Sequence, residues 1–408
     1  MPQVLNRWQT VLWIMVAAQL VSAIGFSVIF PFLPLYVTEL GTNTGLSLEL
    51  WAGLVFSSQA LTMAIAAPIW GSLADRFGHK LMVERAMFGG AIIMLLMGFA
   101  RSAEELTLLR AVQGLITGTI SAANALIASI VPRERIGYAM GLLQVGLWTG
   151  TGLGPLLGGV IADTFGFRVT LMITAVLLFG AGVLVLVGIP AGVGQPVARS
   201  AARPRILASW GAIFRVPGVP IAYGLRFLGS LAQSMLLPFT PLLIVLLLPG
   251  TDRVASMTGL VVGVALGAST ITAIQLGRLG DKIGHRAVLI GSALATALCF
   301  LPQSFVTNAW QLLALQALSG AAVGGVAPAL SALLARYSVV GNEGAVYGFD
   351  NTVISGARAI APLIGAAIVA GFGLRAIFIG TAFVYAVVGT LAILALPAAR
   401  PLATKPSA

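Results

Sequence analysis

Between Trp8 and Leu396 the chain is a succession of apolar stretches separated by a few charged or turn-forming residues. About 20 predominantly apolar residues are what an α-helix needs to cross a bilayer. In that medium the backbone can be satisfied only within a helix or a closed barrel. Cutting at charges and turn residues predicts twelve spans: 9–38, 51–73, 82–100, 105–131, 137–162, 168–190, 217–247, 256–278, 286–305, 308–336, 344–370 and 374–397. Only 9% of the residues are charged, against roughly 25% in soluble chains. The spans leave no room for a soluble domain.

A decapeptide occurs twice among these spans. GSLADRFGHK (71–80) and GRLGDKIGHR (277–286) lie 206 positions apart in a chain of 408 residues. Other pairs follow in chain order at offsets of 206 or 207. They are PFLP (31–34) with PFTP (238–241), Arg110 with Gln316, GYAMG (137–141) with GAVYG (344–348), and GPLLG (154–158) with APLIG (361–365). The chain thus reads as one six-helix unit present twice. The Pro-, Ala- and Arg-rich GQPVARSAARPR reads as the linker. The expected bodies are an N-terminal bundle 1–190, a cytoplasmic linker 191–216, a C-terminal bundle 217–398 and a cytoplasmic tail 399–408. Duplicated bundles enclosing a site near the membrane midplane are the architecture of secondary transporters.

The formal charge of +11 belongs to topology. With both termini and both decapeptides on the cytoplasmic side, that side holds sixteen of the 23 Lys and Arg residues. Four (Arg101, Arg168, Arg253, Arg375) fall opposite, and three within spans. This is the positive-inside pattern, aided by anionic lipid headgroups, so nucleic acid is not an expected partner. Cys299 is the lone cysteine, and the two histidines, His79 and His285, sit in the decapeptides. No disulfide framework, thiol–metal site or nucleophile–base constellation follows, and no P-loop points to ATP. The first span runs past Pro34, too long for a signal-peptide core, and is expected to be retained.

GSLADRFGHK resembles the signature between helices 2 and 3 of the major facilitator superfamily, and LLRAVQG (108–114) resembles its helix-4 motif. On span 5, Gly141, Gly150, Gly154, Pro155, Gly158 and Gly159 are similar to the antiporter signature of drug exporters. Gly25 with PFLP resembles helix 1 of the twelve-helix drug:proton antiporters. PFLPLYV, WGSLADRFGHKLM and NALIASIVPRER resemble a multidrug-efflux branch of that family. The resemblance covers essentially the whole chain. It implies an all-α polytopic membrane protein of twelve transmembrane helices in two pseudo-symmetric six-helix bundles. It also implies a cytoplasmic-membrane monomer without cofactor or metal, exchanging protons for amphiphilic small molecules. A facilitator or importer of a small organic anion, or a lipid flippase, is the alternative on the same fold.

The resemblance makes the decapeptides a conformational latch: Gly71, Asp75, Arg76, Gly78 and Lys80, repeated by Asp281, Lys282 and Arg286. Asp75 would meet the start of span 11, where helix N–H groups favour negative charge. Arg76 and Lys80 are expected to pair with Glu134, Glu343 or Asp350 across the interface. The span-5 glycines allow close helix approach, and Pro155 bends the helix.

Arg110, Gln113, Thr117, Ser121 and Asn124 form one helical stripe on span 4. With spans 1, 4, 7 and 10 lining the cavity, as the resemblance implies, Gln19, Ser22 and Phe26 would face Arg226 and Gln233 across it. Gln144 and Arg358 complete the expected lining. Ionisable groups inside a membrane are costly enough to mark function. Span 1 lacks the embedded acid that several drug:proton antiporters carry there, so proton coupling would use Asp350, the expected carrier, or a rim acid, Glu39 or Glu343, or be absent. An unpaired Arg226 would favour neutral, zwitterionic or anionic amphiphiles over permanent cations.

Overall fold

The computed structural model describes residues 7–132, 135–190, 192–193, 218–251, 253–337 and 343–396. Most of the linker and the whole 399–408 tail lie outside the described residues, as do the side chains of Asp75 and Glu343 and the surroundings of Gly71. The first half comprises α1 (Arg7–Ser27), α2 (Leu33–Leu40), α3 (Leu48–Phe77), α4 (His79–Met97), α5 (Ala103–Ile116), α6 (Thr119–Ile130), α7 (Ile136–Phe165) and α8 (Phe167–Gly188). The second comprises α9 (Val219–Leu236), α10 (Thr240–Leu247), α11 (Val254–Ile283), α12 (His285–Phe300), α13 (Ala309–Val323), α14 (Val326–Tyr337), α15 (Glu343–Phe372) and α16 (Ala376–Ala395). A 3₁₀ turn, Leu301–Phe305, extends α12.

These helices make the twelve crossings, because spans 1, 4, 7 and 10 are each broken in two. In span 4 the break is at Thr117–Gly118, where Gly118 has a φ of 146°. Ten crossings are individually long and apolar enough to span a membrane. Span 4 fails through its break, and span 3 carries Lys80, Glu84 and Arg85.

Helices α3, α7, α11 and α15 are each 30 residues long, about 45 Å at 1.5 Å per residue. They outlast a hydrocarbon core of roughly 30 Å and overrun the expected spans. The charges used as cutting points merely mark where these helices leave the lipid. The helices themselves stop at Gly78, Gly166, Gly284 and Gly373, with φ of 97°, 81°, 96° and 83°. Such angles suit glycine alone. The duplication therefore reaches the capping residue: 78 pairs with 284, and 166 with 373.

Packing repeats as well. Helix α1 lies on α7 as α9 lies on α15; α3 lies on α5 as α11 on α13; α4 lies on α8 as α12 on α16. Two extensive contacts join the halves, α7 with α11 and α15 with α3, and these too are related by the repeat; a smaller one joins α2 to α10.

The two ends of the molecule differ. At the decapeptide end, one apolar core runs from Val11 to Val193 within the first half, and another around Tyr223 and Leu334 stays within the second. At the far end the cores are shared. Ala255 and Leu237 join the first half's core, and Leu50 joins the second's. The halves are closed together at the far end and separate at the decapeptide end.

Candidate functional site

The far-end seal is built from backbone against backbone. A Cβ on Gly259 would strike the carbonyl of Pro155, and one on Gly53 would lie 2.8 Å from the carbonyl of Pro362. Pro155 and Pro362 are repeat equivalents, as are Gly53 and Gly259, so the same joint is made twice. The span-5 glycines divide their work. Gly150 and Gly154 fit α1 of their own half and Gly158 fits Val28 just past it, whereas Gly159 abuts Ala255 of the other half. Gly141 has open space around it and is not required by packing here.

Asp163, one turn beyond Gly159, completes the seal. The backbone N–H groups of Ala255 and Ser256 donate to its two carboxylate oxygens at 3.0 and 2.6 Å. A carboxylate from one half thus caps the first turn of α11 in the other, where orphan N–H groups and the helix dipole favour negative charge. Asp163 lay just past the expected span 5, and its repeat equivalent is Ala370, so neither rule that found the other sites drew it out. Hydrogen bonds to a charged group contribute about 1.5–3 kcal/mol. Asp163→Ala is accordingly expected to shift the closed-to-open ratio roughly ten- to a hundredfold. A cysteine at Thr258, buried in the seal, should then be labelled faster by an impermeant thiol reagent; an unchanged rate would exclude the latch role.

Within the second half, where α9, α14 and α15 meet, stands an ion pair. Asp350 on α15 accepts from Arg226 Nε and Nη2 on α9, both at 3.1 Å, and Arg226 Nη1 reaches the carbonyl of Ala327 on α14 at 3.4 Å. The pair is mostly buried, with side-chain exposures of 14% and 8%. Arg226 is therefore not the unpaired cation the sequence suggested. Gln233 is exposed two turns along the same face of α9, and Gln144 on the face of α7 that carries Pro155. Arg358 is exposed at the middle of α15. Glu39 is exposed at the far rim, at the end of α2.

Several expected lining residues are turned inward. Arg110 and Gln113 are 1% and 0% exposed. Arg110 donates to Gln113 Oε1 (2.6 Å) and the Val55 carbonyl (3.4 Å), with its guanidinium 5.8 Å from the Phe56 ring. It ties α5 to α3 rather than facing the gap. Thr117 is buried beside the span-4 break, and Asn124 is half-buried on α6; the Ser121 side chain is outside the described residues. Gln19 and Ser22 are also buried, Ser22 donating to the Ala18 carbonyl at 2.7 Å, and Phe26 packs at Gly90 on α4. That face of α1 is its inner face; the exposed side carries Trp13. Repeat-equivalent positions 19 and 226 do not look at each other.

The decapeptides make contacts within their own halves. Lys80 Nζ donates to the carbonyls of Leu186 (3.1 Å) and Ile189 (2.6 Å) at the end of α8 and lies 3.3 Å from Glu84. Arg286 likewise reaches the carbonyls of Ala392 (3.3 Å) and Ile393 (2.6 Å) at the end of α16. Basic groups suit helix C-termini. Arg76 lies over the Phe77 ring at 5.3 Å, Asp281 pairs with His285 at 3.3 Å, and Lys282 is exposed. Of the acids expected to pair with Arg76 and Lys80, Asp350 is taken by Arg226, while Glu134 and the Glu343 side chain lie outside the described residues. Gly78 serves as the stop of α3.

The Major Facilitator Superfamily model matches residues 15–252 and 243–408. The chain belongs to the major facilitator superfamily. Among its relatives is the multidrug resistance protein MdtG of Enterobacter lignolyticus, 38% identical over 383 residues, covering 93% of this chain and 90% of the relative. MdtG of Escherichia fergusonii is 38% identical over 362 residues, 88% of each chain. Of solved structures, the bacterial homologue of the human lysosomal transporter Spinster, in an inward-facing and unoccupied conformation, aligns with a TM-score of 0.80 at 15% identity. It covers 95% of this chain and 97% of that one. This last likeness is one of fold. As in other members of the superfamily, two six-helix bundles here enclose a gap between them.

Proposed function

We propose that the chain is a proton-coupled exporter of amphiphilic small molecules, working as a monomer by alternating access. The decapeptide end and both termini would lie on the cytoplasmic side of the cell's inner membrane. The observation that carries this reading is the Arg226–Asp350 pair, a titratable carboxylate on the wall of a gap sealed at one end only. Protonating Asp350 would free Arg226 from α15, so a proton arriving from the outside would alter how α9, α14 and α15 are tied together. The basic excess at the decapeptide end supports the orientation, and the relatives named for multidrug resistance support export.

In the opposite state the decapeptide end would close. Asp75 would then meet the start of α15, and Arg76, Lys80, Asp281, Lys282 and Arg286 would meet new partners. Asp75→Ala is expected to abolish most export while leaving substrate affinity within a few fold, because Asp75 sits in the last turn of α3 at the decapeptide edge rather than on the expected cavity lining. Cells carrying the variant should retain a fluorescent amphiphile that wild-type cells expel. Equal retention by both would count against export by this machinery.

A further inference from the structure

Among the described residues, Arg358 is an exposed arginine within the membrane that has no counter-charge. It stands at the midpoint of the 30-residue α15, hence near the membrane midplane, and is exposed. Among the described residues it has neither a hydrogen-bond nor an ion-pair partner. Its direction follows from the helix. Ile360 and Ile364, large apolar residues exposed on the outer face, are rotated from it by about 200° and 240° at 100° per residue. Pro362, which meets Gly53 of the other half, is displaced from it by only about 40°. Arg358 therefore lies on the stripe of α15 that seals against α3 one turn further on, and opens toward the gap where the seal ends. Asn351, also exposed, lies on that stripe two turns nearer the decapeptide end.

A cation at midplane with no partner is costly, by about 2.5–3.5 kcal/mol on insertion scales. The nearby Arg226 does not relieve it: Arg226 carries like charge, and the one carboxylate beside it, Asp350, is engaged by Arg226 itself. Among the described residues, Arg358 therefore presents the gap with an uncompensated positive group near the seal. We infer that Arg358 recognises an anionic headgroup, such as a carboxylate, sulfonate or phosphate on an apolar body, and that the transporter prefers such amphiphiles to cations. This rests on the gap being the transport cavity and deepens that reading. The bidentate fork of arginine fits such oxyanions, and surrounding low dielectric strengthens the attraction.

The test is direct binding, so its failure is separable from a failure of export. Three probes share one apolar body: pyrenebutanesulfonate, pyrenebutyltrimethylammonium and pyrenebutanol. They are titrated against the full chain in phosphatidylcholine nanodiscs. The sulfonate is expected to bind wild type at least tenfold tighter than the ammonium probe, and to lose at least tenfold in Arg358→Gln. Arg358→Lys should recover it to within a few fold. Pyrenebutanol binding, moving less than threefold, reports that the variants remain folded. Equal affinity for the two charged probes, or sulfonate binding indifferent to Arg358→Gln, would overturn the assignment. So would sulfonate loss in Arg358→Lys equal to that in the glutamine variant. Displacement of the sulfonate by phosphatidylglycerol in the disc would give the site to a lipid headgroup, and overturn its assignment to a diffusible substrate.

Discussion

Gly159→Val is expected to reduce transport at least a hundredfold while leaving both bundles folded. The side chain would project into the Ala255 carbonyl of the opposite half, where rigid backbone cannot give way. The nearest atoms it would meet all belong to the second half, Ala255 and Ser256. The far-end seal could not close, and the protein would lose the state described above. Spin labels at Asn43 and Thr251, exposed far-end loop positions in opposite halves, are expected to move apart in the variant. Gly158→Val should behave differently. Its neighbour is the Val28 carbonyl just past α1 in the same half, so its penalty falls on folding, with lower yield and melting temperature. Normal transport by Gly159→Val, or an unchanged label distance, would show that the joint does not gate the molecule.

The second large effect concerns Asp350. Asp350→Asn removes the titratable group but keeps a polar side chain beside Arg226. Uphill transport driven by a proton gradient is expected to vanish, while downhill exchange of substrate persists. Asp350→Leu should also damage stability. Removing one partner of a mostly buried ion pair typically costs about 3–5 kcal/mol, because the other charge remains buried. Replacing both partners, Arg226→Leu with Asp350→Leu, should recover most of that loss. Thermal unfolding of the three variants in one detergent checks the stability claim. A double variant no more stable than Asp350→Leu would mean that the pair contributes through some other contact.

Much of this architecture was legible from spacing alone. The decapeptides at 71 and 277 located both bundles, and their glycines at 78 and 284 proved to be helix stops. Pro155 and Pro362, paired by offset, turned out to form the same joint twice. What spacing does not carry is rotation about each helix axis. Gln19 and Arg226 occupy equivalent positions, yet the Gln19 face of α1 is packed inside its own half. Arg226 instead finds Asp350, 124 residues away in sequence, a distance no local pattern spans. The span-4 stripe misled for a related reason: the helix breaks at Gly118, and Arg110 is buried against Gln113 and the α3 backbone. Lys80 illustrates reach. A long side chain at the start of α4 finds the free carbonyls at the end of α8 before any acid on the other bundle.

The most direct measurement is proton flux coupled to substrate movement in proteoliposomes of known orientation. Vesicles are loaded with a pH-sensitive dye, and pyrenebutanesulfonate is presented on the decapeptide side. Its movement to the far side should drive protons the opposite way at a fixed ratio. An imposed proton gradient should in turn concentrate the probe against its own gradient, in wild type but not in Asp350→Asn. Equilibration of the probe with no proton countermovement, or uphill accumulation undiminished in Asp350→Asn, would contradict a proton-coupled exporter built on the Arg226–Asp350 pair.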